Sequence, residues 1–128
     1  MAAGNWPTSG FFYYNSEFDV DYWWSGTAGC NTTFSGVSVE VAGGIIDEAK
    51  SLRDDVLVTG VSELGCHGTT SQHYCGHAVD IWCNGWSQSE IDAMESYADT
   101  CGYSFYGPGD DGHDDHIHIG SGSFCQAQ

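Results

Sequence analysis

Apolar residues recur along the chain with two different periods. Residues 37–53, "VSVEVAGGIIDEAKSLR", place Val41, Ile45, Ile46, Ala49 and Leu52 on one stripe, which predicts an amphipathic helix. Gly43 and Gly44 fall inside it and mark a place of close packing. "SQSE" at 87–90 has the form of a capping box, with Ser87 opening a second helix and Glu90 reaching back to it. Ile91, Met94, Ala98 and Cys101 then line one face, and Gly102 stops the helix. Apolar runs rich in β-branched residues, "VLVTGV" at 56–61 and "HAVDIW" at 77–82, predict buried strands. "YSFY" at 103–106 and "HIHI" at 116–119 predict two more, joined by the turn-rich "GPGDDG". The aromatic-rich residues 1–35 fit neither period. Within them "FFYYNSEFDVDYWW" at 11–24 alternates poorly and reads as irregular or edge structure. Its rings are expected to pack on one side of the core, with a sugar-stacking platform as the rival reading. Mixed helices and strands with short turns predict one small α+β domain over 1–128, an antiparallel sheet with flanking helices.

Charge removes several classes of partner. Eighteen acidic side chains face two basic ones, Lys50 and Arg53, for a formal net charge of -16. Nucleic acid is excluded, because neutralising phosphates takes Lys and Arg. An anionic membrane surface is disfavoured for the same reason, and no apolar run is long enough to span a bilayer. Six cysteines, none in a CxxC pair, predict three disulfides and an oxidising, extracellular setting. The pairing expected is Cys101–Cys125, Cys75–Cys83 and Cys30–Cys66. "NTT" at 31–33 is a glycosylation acceptor. No signal peptide is visible, so a secreted protein would have lost it.

Candidate chemistry sits in two segments. All six histidines lie between 67 and 118. "SQHYCGHAVD" at 71–80 supplies His73, His77 and Asp80, and "HDDHIHIG" at 113–120 supplies the rest. A catalytic zinc takes three protein ligands, commonly His and carboxylate, and keeps a position for water. It also needs a nearby carboxylate to accept a proton. Two His, one Asp and a spare Asp satisfy that requirement.

"SQHYCGHAVD" fits the pattern Ser-x-His-x-x-Gly-x-Ala-x-Asp. It resembles the zinc D-Ala-D-Ala carboxypeptidases and their relatives, a group that takes in L-alanyl-D-glutamate endopeptidases, lysostaphin-like enzymes and the hedgehog signalling domain. The resemblance covers roughly residues 36–120 and implies a hedgehog/DD-peptidase-like fold with one Zn2+ per chain. It implies that His73 and Asp80 bind the metal. In "DHIH" it implies that Asp115 is the general base and His118 the third ligand. His113, two residues before the acid, stands where some secreted members hold a histidine that stabilises the transition state. His116 is left as a structural or supporting residue. A strict strand would turn 115 away from 116 and 118, so the spacing requires a bend or a strand end there. His77 is a rival ligand, but Gly76 argues against a His-x-x-x-His helix. Ser71 is expected to support a ligand, His67 to lie in the loop ahead of the site, and Asp114 to be a solvated loop carboxylate.

One departure bears on specificity. These carboxypeptidases carry "SGxRS" ahead of the first ligand, and their Arg grips substrate. Here the stretch is "TGVSEL" at 59–64, with Ser62 in place of Arg. A substrate carboxylate buried without a cation is costly. The expectation is therefore a secreted, monomeric zinc endopeptidase acting within the stem peptides of bacterial peptidoglycan, with Ser62 and His67 near substrate. The rivals are a D-Ala-D-Ala carboxypeptidase and a non-catalytic cell-wall-binding module that keeps zinc structurally.

Overall fold

In chain order the protein runs β1 (Phe11–Asn15), β2 (Val20–Trp24), α1 (Val39–Leu52), β3 (Leu57–Gly60), β4 (Thr70–Ser71), a short 3-10 helix (Gln72–Cys75), β5 (Ala78–Trp82), α2 (Gln88–Cys101), β6 (Ser104–Tyr106), β7 (His116–Gly120) and β8 (Cys125–Gln126). The structure is a computed structural model and describes residues 5–27, 32–62, 70–110, 112–122 and 125–126. Six strands form one sheet in the order β1-β2-β3-β5-β7-β6, and β4 pairs with β8 in a second, two-stranded sheet. Every described pairing is antiparallel except β2 with β3. The domain is α+β, as the mixed periodicity predicts.

Both helices begin and end for local reasons. Ser38 caps α1, its Oγ accepting from the Val41 N–H at 3.2 Å. The expected stripe is buried through Ile45, Ile46 and Ala49, joined by Ala42, while Val41 and Leu52 are partly buried. The capping box of α2 is complete: Ser87 Oγ accepts from the Glu90 N–H at 3.2 Å, and the Ser87 N–H donates to Glu90 Oε1 at 2.8 Å. Gly102 closes the helix with φ 74. Met94 and Ala98 are buried, but Cys101, expected on that face, is exposed.

The sheet's two faces have different roles. Antiparallel register sets Val79 opposite Ile119 and Ile81 opposite Ile117, and these residues enter the core with the helices. The alternate positions, Asp80 opposite His118 and Trp82 opposite His116, point to the other face. Residues 5–10 lie along that face, held by indole N–H groups. Trp82 donates to the Asn5 carbonyl at 2.6 Å, Trp6 to that of Asp55 at 3.1 Å and Trp23 to that of Ser9 at 2.7 Å.

The aromatic segment is more regular than its sequence indicates. β1 and β2 form a hairpin in register Phe11↔Trp24 to Asn15↔Val20, with β1 at the sheet edge. Its turn puts Asp19 at φ 52, and Asn15 Oδ1 accepts from the Phe18 N–H at 2.9 Å. Phe18 and Val20 enter the core, whereas Phe11, Phe12, Tyr13 and Tyr14 remain 43–58% exposed. Cross-strand ring stacking replaces core burial: Phe11 meets Trp24 at 5.3 Å and Tyr13 meets Tyr22 at 5.4 Å.

Two of the expected disulfides are corrected. Cys83 is a buried free thiol and Cys101 an exposed one, so neither Cys75–Cys83 nor Cys101–Cys125 forms. Cys75 is disulfide-bonded. The expected Cys30–Cys66 pair and the acceptor Asn31 lie outside the described residues. No helix among the described residues is long and apolar enough to cross a membrane.

Candidate metal centre

Three elements bring His73, Asp80 and His118 together. Ser71 caps the 3-10 helix, its Oγ accepting from the His73 N–H at 3.0 Å. Gly76 ends that helix in the left-handed region at φ 74, and the chain turns directly into β5. Asp80 then lies in the middle of β5, directly across from His118 on β7. All three are buried, and among the described residues they are the one group of three or more His, Cys, Asp or Glu able to hold a metal ion. His77 follows the turn instead, with its carbonyl accepting from the Ser121 N–H at 2.8 Å.

Hydrogen bonding decides which ring nitrogens face inward. His73 Nδ1 meets the Val61 carbonyl, which can only accept, so Nδ1 carries a proton and the Nε2 of neutral His73 is a bare lone pair. His118 Nε2 donates to Gln72 Oε1 at 2.9 Å, which leaves Nδ1 bare. His73 Nε2 and His118 Nδ1 lie 3.1 Å apart, and each approaches Asp80 Oδ1, at 3.1 and 3.0 Å. Three lone pairs thus converge, and they repel unless a cation, a proton or a metal ion, lies among them. A tetrahedral ion with bonds of about 2.0–2.1 Å has donor atoms about 3.3–3.4 Å apart. Two imidazole nitrogens and one carboxylate oxygen at nearly that spacing fit a divalent metal ion.

The electrostatics agree. Burial pushes the Asp80 carboxyl up, but His73 and His118 outweigh it and hold it well below the usual carboxylate range. Burial holds the His118 imidazole below its ordinary value, against the pull of Asp80. The His118 shift favours the deprotonated form that binds metal, and the Asp80 shift shows that positive charge beside it favours the carboxylate.

Beside this trio stands a second group. β7 begins at His116, so Asp115 sits just before the strand, where the motif spacing requires a break. The Asp115 carboxylate is mostly exposed and accepts from His116 Nδ1 at 3.0 Å, while its backbone carbonyl accepts from the Cys83 N–H at 2.9 Å. His113 stacks on Tyr106 at 5.4 Å and lies 4.9 Å from the His116 ring and 6.3 Å from that of His118. Asp114 is exposed. Ser62 is buried, its Oγ lying between the carbonyls of Thr33 and Ser35 at 2.8 and 2.6 Å. His67 lies outside the described residues.

Sequence reasoning missed Gln72, the Val61 carbonyl and Tyr106. Tyr106 pairs with His118 across β6 and β7, and its ring lies 5.8 Å from the His118 imidazole. Register could have found Tyr106 once both strands were aligned. No family model matches the chain, and no curated protein or solved structure matches it either.

Proposed function

We propose that this protein is a secreted zinc metallopeptidase that cleaves within the stem peptides of bacterial peptidoglycan, with a hedgehog/DD-peptidase-like fold. The reading is carried by the convergence of three inward lone pairs from His73, Asp80 and His118, in the order and spacing of the two matched motifs. When bound there, zinc supplies Lewis acidity toward a peptide carbonyl and toward water. Asp115 takes the proton of the attacking water and returns it to the leaving amine. His116 steadies that carboxylate through its Nδ1–H. His113 donates to the developing oxyanion, and Tyr106 braces its ring from behind.

An endopeptidase fits better than a carboxypeptidase because both cations of the chain are engaged elsewhere. Arg53 holds Asp55 at 2.7 Å and Glu90 at 2.9 Å and lies over the Trp86 ring, and Lys50 meets Asp19 at 3.3 Å. Neither is free to grip a terminal carboxylate. A structural zinc in a binding module would not need an acid at Asp115's spacing.

The test is mass spectrometry of stem peptides after incubation with the zinc-loaded protein. Internal cuts are expected, and amidating the substrate's C-terminus should change kcat/KM by less than about tenfold, which is about 1.4 kcal/mol of transition-state binding. Free D-Ala as the main product, lost on amidation, would establish the carboxypeptidase instead. No cleavage of any stem peptide would favour the binding module.

A further inference from the structure

Gln72 lies between His118 of the metal trio and the backbone just past the end of β7. Its side chain is 1% exposed. Its Nε2 is 3.1 Å from the Gly122 carbonyl oxygen and 3.3 Å from Ser104 Oγ. A carbonyl oxygen only accepts, so the amide must turn its NH2 toward Gly122. Oε1 is thereby left facing His118 Nε2, at 2.9 Å. Oε1 also only accepts, so neutral His118 keeps its proton on Nε2 and turns the Nδ1 lone pair toward Asp80 and His73. Gly120, across from Ala78 on β5, makes the room for this: a Cβ at position 120 would collide with Gln72 Oε1 and lie 2.8 Å from Cδ.

We propose that Gln72, seated against Gly120, is a positioning residue that selects Nδ1 of His118 as the metal donor. The proposal rests on reading the trio as a metal centre and adds a cause for which nitrogen binds. The chain of constraint runs from a backbone carbonyl, through one amide, to one imidazole tautomer. Removing the amide leaves the His118 proton free to sit on either nitrogen and the ring free to turn. Partners that orient a ligand histidine in this way typically account for about 10–100-fold in metal affinity.

The test is competition for zinc between the full-length protein and a chelating indicator, which needs no substrate. Gln72→Leu should bind zinc about 10–100-fold more weakly than the wild type. Gly120→Ala should weaken binding comparably, by driving Oε1 away from the imidazole. In a Gln72→Ala background, Gly120→Ala should cost less than in the wild type, because the two nearest atoms it strikes, Oε1 and Cδ, are gone and only the Ala78 Cβ contact at 3.0 Å remains. Long-range nitrogen–proton NMR of the zinc-free wild type should show the His118 proton on Nε2, a result that does not depend on any variant folding. Equal affinity in the wild type and Gln72→Leu, fully additive losses in the double variant, or a His118 Nε2 without a proton in the wild type would each overturn the proposal. Failure of the wild type to bind zinc at all would instead overturn the metal centre itself.

Discussion

Single side chains determine the chemistry of this site, and each can be tested alone. His73→Ala removes one of three donors and should abolish stoichiometric zinc binding, whereas His77→Ala should keep it. Metal analysis of the two purified variants checks the pair, and the reverse pattern would make the assignment wrong. Among the described residues the Asp115 carboxylate bonds His116 and no metal-facing nitrogen. Asp115→Asn should therefore keep zinc and lose about 10²–10⁴ in kcat on a stem peptide. His113→Ala should lose less, about 10–10³, as for one oxyanion donor. The buried trio that could hold a metal ion was readable because its members belong to short motifs with fixed spacing. Gln72 and the Val61 carbonyl were not readable. They act through the direction of a hydrogen bond, which no pattern of residue types encodes.

Secondary-structure elements are the scale at which periodicity was most informative. Both helices follow from an apolar stripe and a serine cap, and the strands carrying Asp80 and His118 follow from β-branched runs. The β1–β2 hairpin did not follow, because its stability comes from rings paired across strands rather than from alternating burial. One ion-pair cluster locks several elements together. Arg53, just past α1, bonds Asp55 ahead of β3 and Glu90 in the first turn of α2. Asp55 is only 6% exposed, and its carboxyl is held below the ordinary value, the Arg53 hydrogen bond prevailing over burial. Asp55→Ala should cost about 2–3 kcal/mol of stability, the scale of hydrogen bonds to a charged group. Denaturant unfolding of the variant checks this, with zinc held constant so that metal linkage does not enter the difference.

At the scale of the whole molecule, thiol state and pH dependence become the observables. Six cysteines in a strongly acidic chain read as three disulfides, yet Cys83 and Cys101 are free. Spacing alone cannot show that these two thiols stay unpaired. Burial, with the charge of Asp115, pushes the Cys83 thiol up to about 11. It should stay unlabelled by a thiol reagent in the native protein, while exposed Cys101 reacts. The denatured, unreduced protein should label at both. Labelling at neither would restore the fully oxidised reading.

Acid stability follows from the trio. His118 binds its proton less readily folded than unfolded, so its contribution is lost as pH falls below the ordinary imidazole value of 6.5. Asp80 is held below its ordinary 3.8, so its contribution is present above that value and is lost as pH falls through the lower folded one. Thermal melts of the zinc-free protein from about pH 8 downward should show Tm declining first below 6.5 and again below 3.8. A Tm that rises as pH falls through 6.5 would mean that His118 prefers its charged form in the fold.

The most direct measurement is to strip the protein with a chelator, titrate zinc back, and count new amino termini released from purified peptidoglycan at each step. Hydrolysis by a centre built from His73, Asp80 and His118 predicts no release from the stripped protein. It also predicts a linear rise that levels off at one zinc per chain. Release that is unaffected by stripping, or none at any zinc concentration although one ion is bound, would contradict it.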